Sequence, residues 1–139
     1  MRTRAFNPHS GGLPIPASVK RRTTERLQRH AANHYKGLYA HIDIRFRGSL
    51  CYIDAYTEPK EPDAALLRST HESREAFLER MRNYPMHLGR IRYFGLDQWS
   101  YAFYTYSRDR YEAAIFQNGE WFGTPEDAFD IGASYLQNE

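Results

Sequence analysis

Short turns between strand-like segments are the feature that most constrains what this chain can fold into. Residues 41–47 and 50–56 alternate polar with apolar side chains, and only Gly48-Ser49 separates them. Alternation of period two predicts β-strands, and a two-residue turn with glycine first predicts a hairpin. Such a turn joins only antiparallel neighbours, because parallel strands need a much longer crossover. The sheet is therefore predicted to be largely antiparallel.

Further strands and helices follow from the same kind of pattern. Three or four more strands are predicted, over residues 88–94, 99–106, 111–117 and 120–122. Helices are predicted over residues 18–36, from a capping box at Ser69 to a stop at Pro85, and from a second capping box at Thr124. The order is α-ββ-α-βββ(β)-α. It predicts an α+β fold with a sheet of five to six strands and helices on one face.

The chain is predicted to hold one domain, over residues 18–139, after a flexible N-terminal tail over residues 1–17. Prolines and glycines interrupt any periodicity in the tail. No apolar run approaches the roughly 20 residues that a membrane helix needs, so no membrane partner is expected. The single cysteine, Cys51, cannot form an internal disulfide, and no secretory signal precedes it. These features favour a cytoplasmic location.

Positive charge is concentrated in the first third of the chain. Residues 1–47 hold ten Lys or Arg and two acidic residues, whereas residues 48–139 hold nine and fifteen. Such a split predicts an acidic partner, either nucleic acid or an acidic protein surface. The alternative is that the basic helix packs on acidic residues of its own domain. The residues predicted to contact nucleic acid, together with the tail, are Arg22, Arg26, Arg29, Lys36, Arg45 and Arg47.

Two carboxylates are predicted to lie opposite each other in the first hairpin. With a two-residue turn Asp43 faces Asp54, and like charges at such a pair repel. Arg45, Arg47, a histidine or a bound cation can compensate the repulsion. If this face is a cleft, the two carboxylates become candidates for metal or acid–base chemistry. The alternative is a salt-bridged outer face of the sheet.

Aromatic residues dominate the strands of the second half. They can form a base-stacking platform for single-stranded nucleic acid, or they can form core and cross-strand pairs. Both hold if the two faces of a strand differ. The aromatic residues are Tyr93, Trp99, Tyr101, Tyr104, Tyr106, Tyr111 and Trp121, and the interleaved arginines are Arg90, Arg92, Arg108 and Arg110.

Some segments resemble known proteins. Residues 45–48, 51–56 and 123–129 resemble segments of small uncharacterised bacterial proteins, a resemblance that implies no particular function. The hairpin-to-helix stretch over residues 119–128 is similar to a stretch of HicB-type antitoxins, which implies a role in protein interaction. The first helix and the first hairpin have no counterpart in the antitoxins.

The leading prediction is a small nucleic-acid-binding module that uses the basic first helix. A protein-interaction or assembly module, antitoxin-like or accessory, is the alternative, and a small metal-assisted enzyme using Asp43 and Asp54 comes third. The sequence has no glycine-rich phosphate loop, no paired cysteines and no His-Glu-x-x-His motif. His30 and His34 are spaced to meet one metal ion or to pack beside Tyr35. No metal, cofactor or catalytic residue is predicted, and the oligomeric state is left open.

Overall fold

A computed structural model describes residues 7–8 and 10–137 of the chain. The elements in chain order are α1 (Ala17–His34), β1 (His41–Arg47), β2 (Leu50–Tyr56), α2 (Ala64–Thr70), α3 (Arg74–Arg82), β3 (Met86–Tyr93), β4 (Trp99–Thr105), β5 (Arg110–Ala114), α4 (Pro125–Gly132) and α5 (Ser134–Gln137). The five strands form one sheet in chain order, and every neighbouring pair is antiparallel. The predicted α+β class and antiparallel sheet are confirmed.

The first hairpin has the predicted register. Asp43 pairs with Asp54, and Arg45 pairs with Tyr52. Gly48 has a φ of +61°, as the first position of a glycine-first turn requires. Every second residue of β2 therefore faces the same way, and Cys51 is among those buried against the helices.

The core lies between one face of the sheet and the helices α1 and α4. Leu27 and Ala31, four residues apart on α1, are fully buried, and so is Phe129 on α4. This spacing places the apolar stripe of an amphipathic helix on the sheet. α4 lies so close to β3 that a Cβ on Gly132 would be 2.0 Å from the carbonyl oxygen of Leu88. Within the described chain, no helix is both long enough and apolar enough to cross a membrane.

The middle helical region differs from the sequence prediction. The capping box at Ser69 is not formed, and two short helices replace the one predicted. Asp63 caps α2 by accepting from the backbone N–H of Leu66 at 2.7 Å, and Ser73 caps α3. His71 ends α2 with a left-handed φ of 58°. Several residues in this segment can cap a helix, and the local sequence does not decide which of them do.

The optional sixth strand over residues 120–122 is not formed. The backbone N–H of Phe116 donates to Glu120 at 2.8 Å, which closes the predicted turn around Gly119. The chain beyond that turn makes only an isolated bridge between Gly123 and Trp99 before α4 begins. The sheet therefore has the lower of the two predicted strand numbers.

Part of the predicted N-terminal tail lies against the sheet. The backbone N–H of Leu13 donates to Tyr93 at 2.8 Å, that of Ile15 donates to Gly48 at 3.2 Å, and Ile15 is buried in the core. This arrangement differs from a free tail because an extended segment leaves its amides available to pair with backbone carbonyls of the sheet. Residues 1–6 of the predicted tail, with Arg2 and Arg4, lie outside the described residues.

The capping box at the start of α4 generates a stability prediction. The Thr124 hydroxyl accepts from the backbone N–H of Asp127, whose carboxylate reaches back to the N–H of Thr124. Thr124→Ala should lower the free energy of unfolding by about 1 kcal/mol. Urea denaturation measures the loss. Thr24→Ala, inside α1, is the matched control and should be neutral or slightly stabilising because alanine favours helix; equal losses in both variants would contradict a role for the cap.

Candidate nucleic-acid interface

The predicted basic stripe of α1 is interrupted. Arg22, Arg29 and Lys36 are exposed, whereas the guanidinium of Arg26 lies between two carboxylates of its own domain. It donates to Glu126 at 2.6 Å and to Asp97 at 2.7 Å. The sequence left open that the basic helix packs on acidic residues of its own domain. Of the four predicted contact residues on this helix, Arg26 is paired in that way.

The surroundings of Arg26 are electrostatically coupled. Hydrogen bonds that Arg26 donates to Glu126 and then to Asp97 raise the pKa of its guanidinium further above its usual range. Burial alone would raise the pKa of each carboxyl, but the hydrogen bonds from Arg26 outweigh burial and hold both below their ordinary values. Arg26 is therefore a link between α1, the β3–β4 turn and α4, and a phosphate would have to displace two carboxylates to reach it.

One histidine of the pair on α1, His30, also contacts α4. Nε2 of His30 lies 2.6 Å from Oδ1 of Asp130, and the Tyr35 hydroxyl donates to the same oxygen at 2.7 Å. The rings of His30 and His34 are 4.6 Å apart. In the described part of the chain, no group of three or more His, Cys, Asp or Glu side chains could hold a metal ion. The interpretation of a helix flank packed beside Tyr35 agrees with these contacts.

The opposite face of the sheet carries a continuous polar and aromatic surface, which we call the tyrosine–arginine face. Strand alternation and the pairings of the sheet bring residues from all five strands together there. The helices α1 and α4 pack on the other side of the sheet, and the N-terminal segment reaches this face where the carbonyls of Pro8 and Gly11 accept from Ser100 and Arg92. Its central residues are Asp43, Arg45, Tyr52, Asp54, His87, Arg90, Tyr104, Tyr106 and Tyr111.

The aromatic rings of this face touch one another across the strands. Ring centroids are 5.7 Å apart for Tyr52 and Tyr111, 5.0 Å for Tyr104 and Tyr111, and 4.8 Å for Tyr104 and Tyr106. His87 joins the group, with its centroid 4.5 Å from that of Tyr104. The four tyrosines are at least partly exposed, so the face presents a layer of rings to solvent.

Two arginines lie over these rings. The guanidinium carbon of Arg45 is 5.1 Å from the ring centroid of Tyr52, and that of Arg90 is 5.1 Å from the ring centroid of Tyr111. Both distances are within the range of cation–π contacts. Arginine stacked on an aromatic ring keeps donors in its plane for other acceptors.

The opposed carboxylates are neutralised from within the face. Arg45 donates to Asp43 at 3.1 Å and to Asp54 at 2.7 Å, and Nδ1 of His87 lies 2.8 Å from the other oxygen of Asp54. The Asp54 side chain is only 4% exposed. An arginine and a histidine, both foreseen as compensating groups, thus form the salt-bridged surface. Each oxygen of Asp54 already has a partner, which argues against an open acid–base or metal site.

A β-bulge brings His87 to this face. Ile53 pairs with Gly89, but the next residue of β2, Asp54, pairs with His87, so Leu88 is an extra residue in β3. Leu88 turns into the core, where it is buried, and His87 turns to the open side. Sequence reasoning did not find the pair of His87 and Asp54, because a bulge breaks the alternation on which facing is predicted. The glycine inside the strand was the available signal.

The aromatic strands divide between the two faces, as the sequence allowed. Trp99 and Tyr101 are fully buried in the core, whereas Tyr104, Tyr106 and Tyr111 lie on the tyrosine–arginine face. Tyr101 donates its hydroxyl to the carbonyl of Leu88 at 2.8 Å, which satisfies it inside the core.

Two of the four arginines predicted among the aromatic residues lie on the tyrosine–arginine face. Arg108 and Arg110 lie 3.1 and 3.7 Å from the carboxylate of Glu112, at the end and edge of the sheet. Arg90 and Arg92 follow the strand on the tyrosine–arginine face. The face therefore holds arginines from β1 and β3, and the pair around β5 belongs to a local ion-pair cluster.

The tyrosine–arginine face has an excess of positive charge. Its charged residues are Arg45, Arg47, Arg90, Arg92, Asp43 and Asp54. Burial and the neighbouring Arg90 lower the pKa of the Arg92 guanidinium, which is the effect expected where like charges crowd. Burial and then the charge of Asp54 raise the pKa of the Tyr111 hydroxyl, so it stays protonated at neutral pH and can donate a hydrogen bond.

The Arg26 link predicts a pH-dependent stability. Arg26→Gln should lower the free energy of unfolding by about 1–2 kcal/mol at neutral pH, since its four hydrogen bonds to the two carboxylates are lost and solvent screens them in part. The folded state lowers the pKa values of Glu126 and Asp97 from ordinary values of 4.5 and 3.8, so their stabilisation is present above those values. It is lost as the pH falls through the lower folded values. Urea melts from pH 7 to about pH 3 should show the gap between the proteins closing.

Arg29→Gln is the matched control for that experiment. Arg29 is exposed on the same helix and carries the same charge. Its replacement should leave the free energy of unfolding within about 0.5 kcal/mol at every pH. A gap for Arg26→Gln that stays constant with pH would contradict the electrostatic account.

The two carboxylates of the first hairpin should contribute unequally to the free energy of unfolding. Asp54→Asn should lower the free energy of unfolding by about 1–3 kcal/mol, because Arg45 and His87 lose a buried charged acceptor. Asp43→Asn is the control. Asp43 is 41% exposed and receives one bond at 3.1 Å, so the change should be within about 0.5 kcal/mol. Thermal and urea melts measure both, and a stabilised Asp54→Asn would mean that repulsion dominates.

Comparison with known proteins gives no match that could assign a function to this face. No protein-family model, no curated protein and no solved structure matches the chain. The resemblances to small bacterial proteins and to HicB-type antitoxins stay predictions, and the arrangement of the residues carries the functional argument.

Proposed function

We propose that the chain binds single-stranded nucleic acid on its tyrosine–arginine face. The observation that carries the proposal is the layer of tyrosine rings with guanidinium groups lying over it, on the face of the sheet opposite α1 and α4. Every base has a flat face that can stack on an aromatic ring, and each phosphate needs a cation nearby. Rings and guanidinium groups at strand spacing supply both.

The proposed ligand is single-stranded rather than double-stranded nucleic acid, because its bases have to reach the rings. In a duplex the flat faces of the bases are already stacked on each other, so a sheet surface could meet only phosphates and groove edges. A single strand exposes its bases to rings such as Tyr104 and Tyr106 and leaves its phosphates to the arginines. The Tyr111 hydroxyl, which stays protonated, can donate to a phosphate or a base edge.

The proposed surface differs from the one that the sequence favoured. The sequence predicted phosphate contacts from the outer stripe of α1, but Arg26 in that stripe is bound to Glu126 and Asp97. Arg45 and Arg47, also predicted, lie on the tyrosine–arginine face. Among the described residues, neither Arg47 nor Arg90 lies within ion-pair distance of a carboxylate, so both are available to phosphate.

The proposal predicts the effect of removing those two arginines. Arg47→Ala/Arg90→Ala should weaken binding to single strands of every sequence and should flatten the slope of log affinity against log salt by about 1.4, since each single-strand phosphate contact contributes about 0.7. The salt bridges of Asp54 stay intact in this variant, so the fold should be unchanged. Fluorescence anisotropy with labelled RNA and DNA oligomers of about 12 nucleotides, starting near 50 mM salt, measures both quantities.

A matched pair on the helix is the control. Arg22→Ala/Arg29→Ala removes the same charge from the exposed side of α1 and should leave the slope nearly unchanged. If the helix pair flattens the slope instead, the interface is α1 and the proposed face is wrong. If neither single strands nor duplexes bind at low salt, the nucleic-acid function is wrong and an acidic protein surface becomes the partner to test.

A further inference from the structure

A cavity of about 500 Å³ lies at the border of the tyrosine–arginine face. It is formed between α3 and the loop that joins β2 to α2. Its walls include Phe77, Met81, Tyr84, Met86 and Tyr106. Sites for small organic ligands typically have volumes of roughly 300–1,000 Å³ and apolar walls. Flat rings and polarisable thioethers suit a planar unsaturated ring.

Two acidic residues at the rim are already neutralised. Glu58 accepts from Arg82 at 2.9 Å, and Glu61 accepts from Arg74 at 2.5 and 2.7 Å. These solvent-exposed ion pairs reduce the repulsion that an anionic ligand would otherwise meet at the entrance.

Lys60 lies between these two carboxylates in the sequence and also lines the rim. Among the described residues no acceptor lies within hydrogen-bond or ion-pair distance of its ammonium group. The third acidic residue of the rim, Asp63, uses its side chain to cap α2 at the N–H of Leu66. Lys60 is therefore the rim cation that remains available to an anion entering the cavity.

Tyr106 belongs to both the cavity and the tyrosine–arginine face. Its ring lies parallel to that of His87 within 25°, with the centroids 6.0 Å apart, and its hydroxyl accepts from the backbone N–H of His87 at 3.2 Å. The same side chain lines the cavity and is 50% exposed. Tyr106 follows the last residue of β4, so the platform of rings continues past the end of the sheet into the cavity.

We propose that this cavity holds the base of the terminal nucleotide of a strand bound on the tyrosine–arginine face, with Lys60 facing a phosphate on that nucleotide. The inference rests on the proposed function. A strand that runs over the rings reaches Tyr106 just past the end of β4, and there Tyr106 and Tyr84 line the cavity. The base of the last nucleotide then exchanges water for the rings of Phe77, Tyr84 and Tyr106.

Linear and circular RNA oligomers of the same sequence test the inference, because a circle has no end. The wild-type protein should bind the linear oligomer carrying a terminal phosphate about fivefold to a hundredfold more tightly than the circle, which corresponds to one stacked base. Met81→Trp should obstruct the cavity and lower the affinity for the linear oligomer towards that for the circle, without changing the affinity for the circle. Lys60→Gln should remove only the part that depends on the terminal phosphate.

Tyr84→Ala keeps the test decisive if Met81→Trp does not fold. Tyr84 is 54% exposed, so its truncation should spare the fold while it removes a wall of the cavity. It should narrow the gap between linear and circular oligomers. Equal affinity of the wild-type protein for both oligomers would overturn the terminal-nucleotide site and leave the proposed function standing. Failure of both oligomers to bind would overturn the two together.

Discussion

The close contact between α4 and β3 at Leu88 is the constraint on which both faces of the sheet depend. The carbonyl of Leu88 accepts from the Tyr101 hydroxyl and lies where a side chain at position 132 would have to be. Leu88 is also the extra residue of the β-bulge. Because the bulge turns Leu88 into the core, it turns His87 outward to Asp54. One irregularity in one strand thus fixes the helical layer on one side and the buried ion pair on the other.

The basic residues of α1 and those of the sheet differ in how far acidic residues neutralise them, because the fold decides which charges come into contact. Arg26 looks like its helical neighbours in the sequence, but its acceptors are 71 and 100 residues away along the chain. Arg90 lies over the ring of Tyr111, and in the described structure neither Arg47 nor Arg90 is within ion-pair distance of a carboxylate. A run of basic residues in a sequence therefore shows where positive charge is placed, and the fold decides how much of it faces solvent.

The sequence predicted what depends on neighbouring residues and missed what depends on distant contacts. Alternation and a two-residue turn predicted the pairing of Asp43 with Asp54 residue by residue, and the capping box at Thr124 is formed as expected. The bulge at Leu88 was missed because it breaks the alternation from which the facing of side chains is predicted. The tyrosines were recognised as a possible platform, but only the pairings of the sheet separate Tyr104 and Tyr111 from the core residues of the same strand.

The order of the strands keeps most pairings of the sheet local. Each strand pairs with its neighbour in the chain, and all pairings except that of β2 with β3, which spans α2 and α3, close short loops that cost little entropy. The ion pairs of Arg26 join α1 to residues 71 and 100 positions further along the chain. They therefore act as a latch between the first helix and the last third of the folded chain.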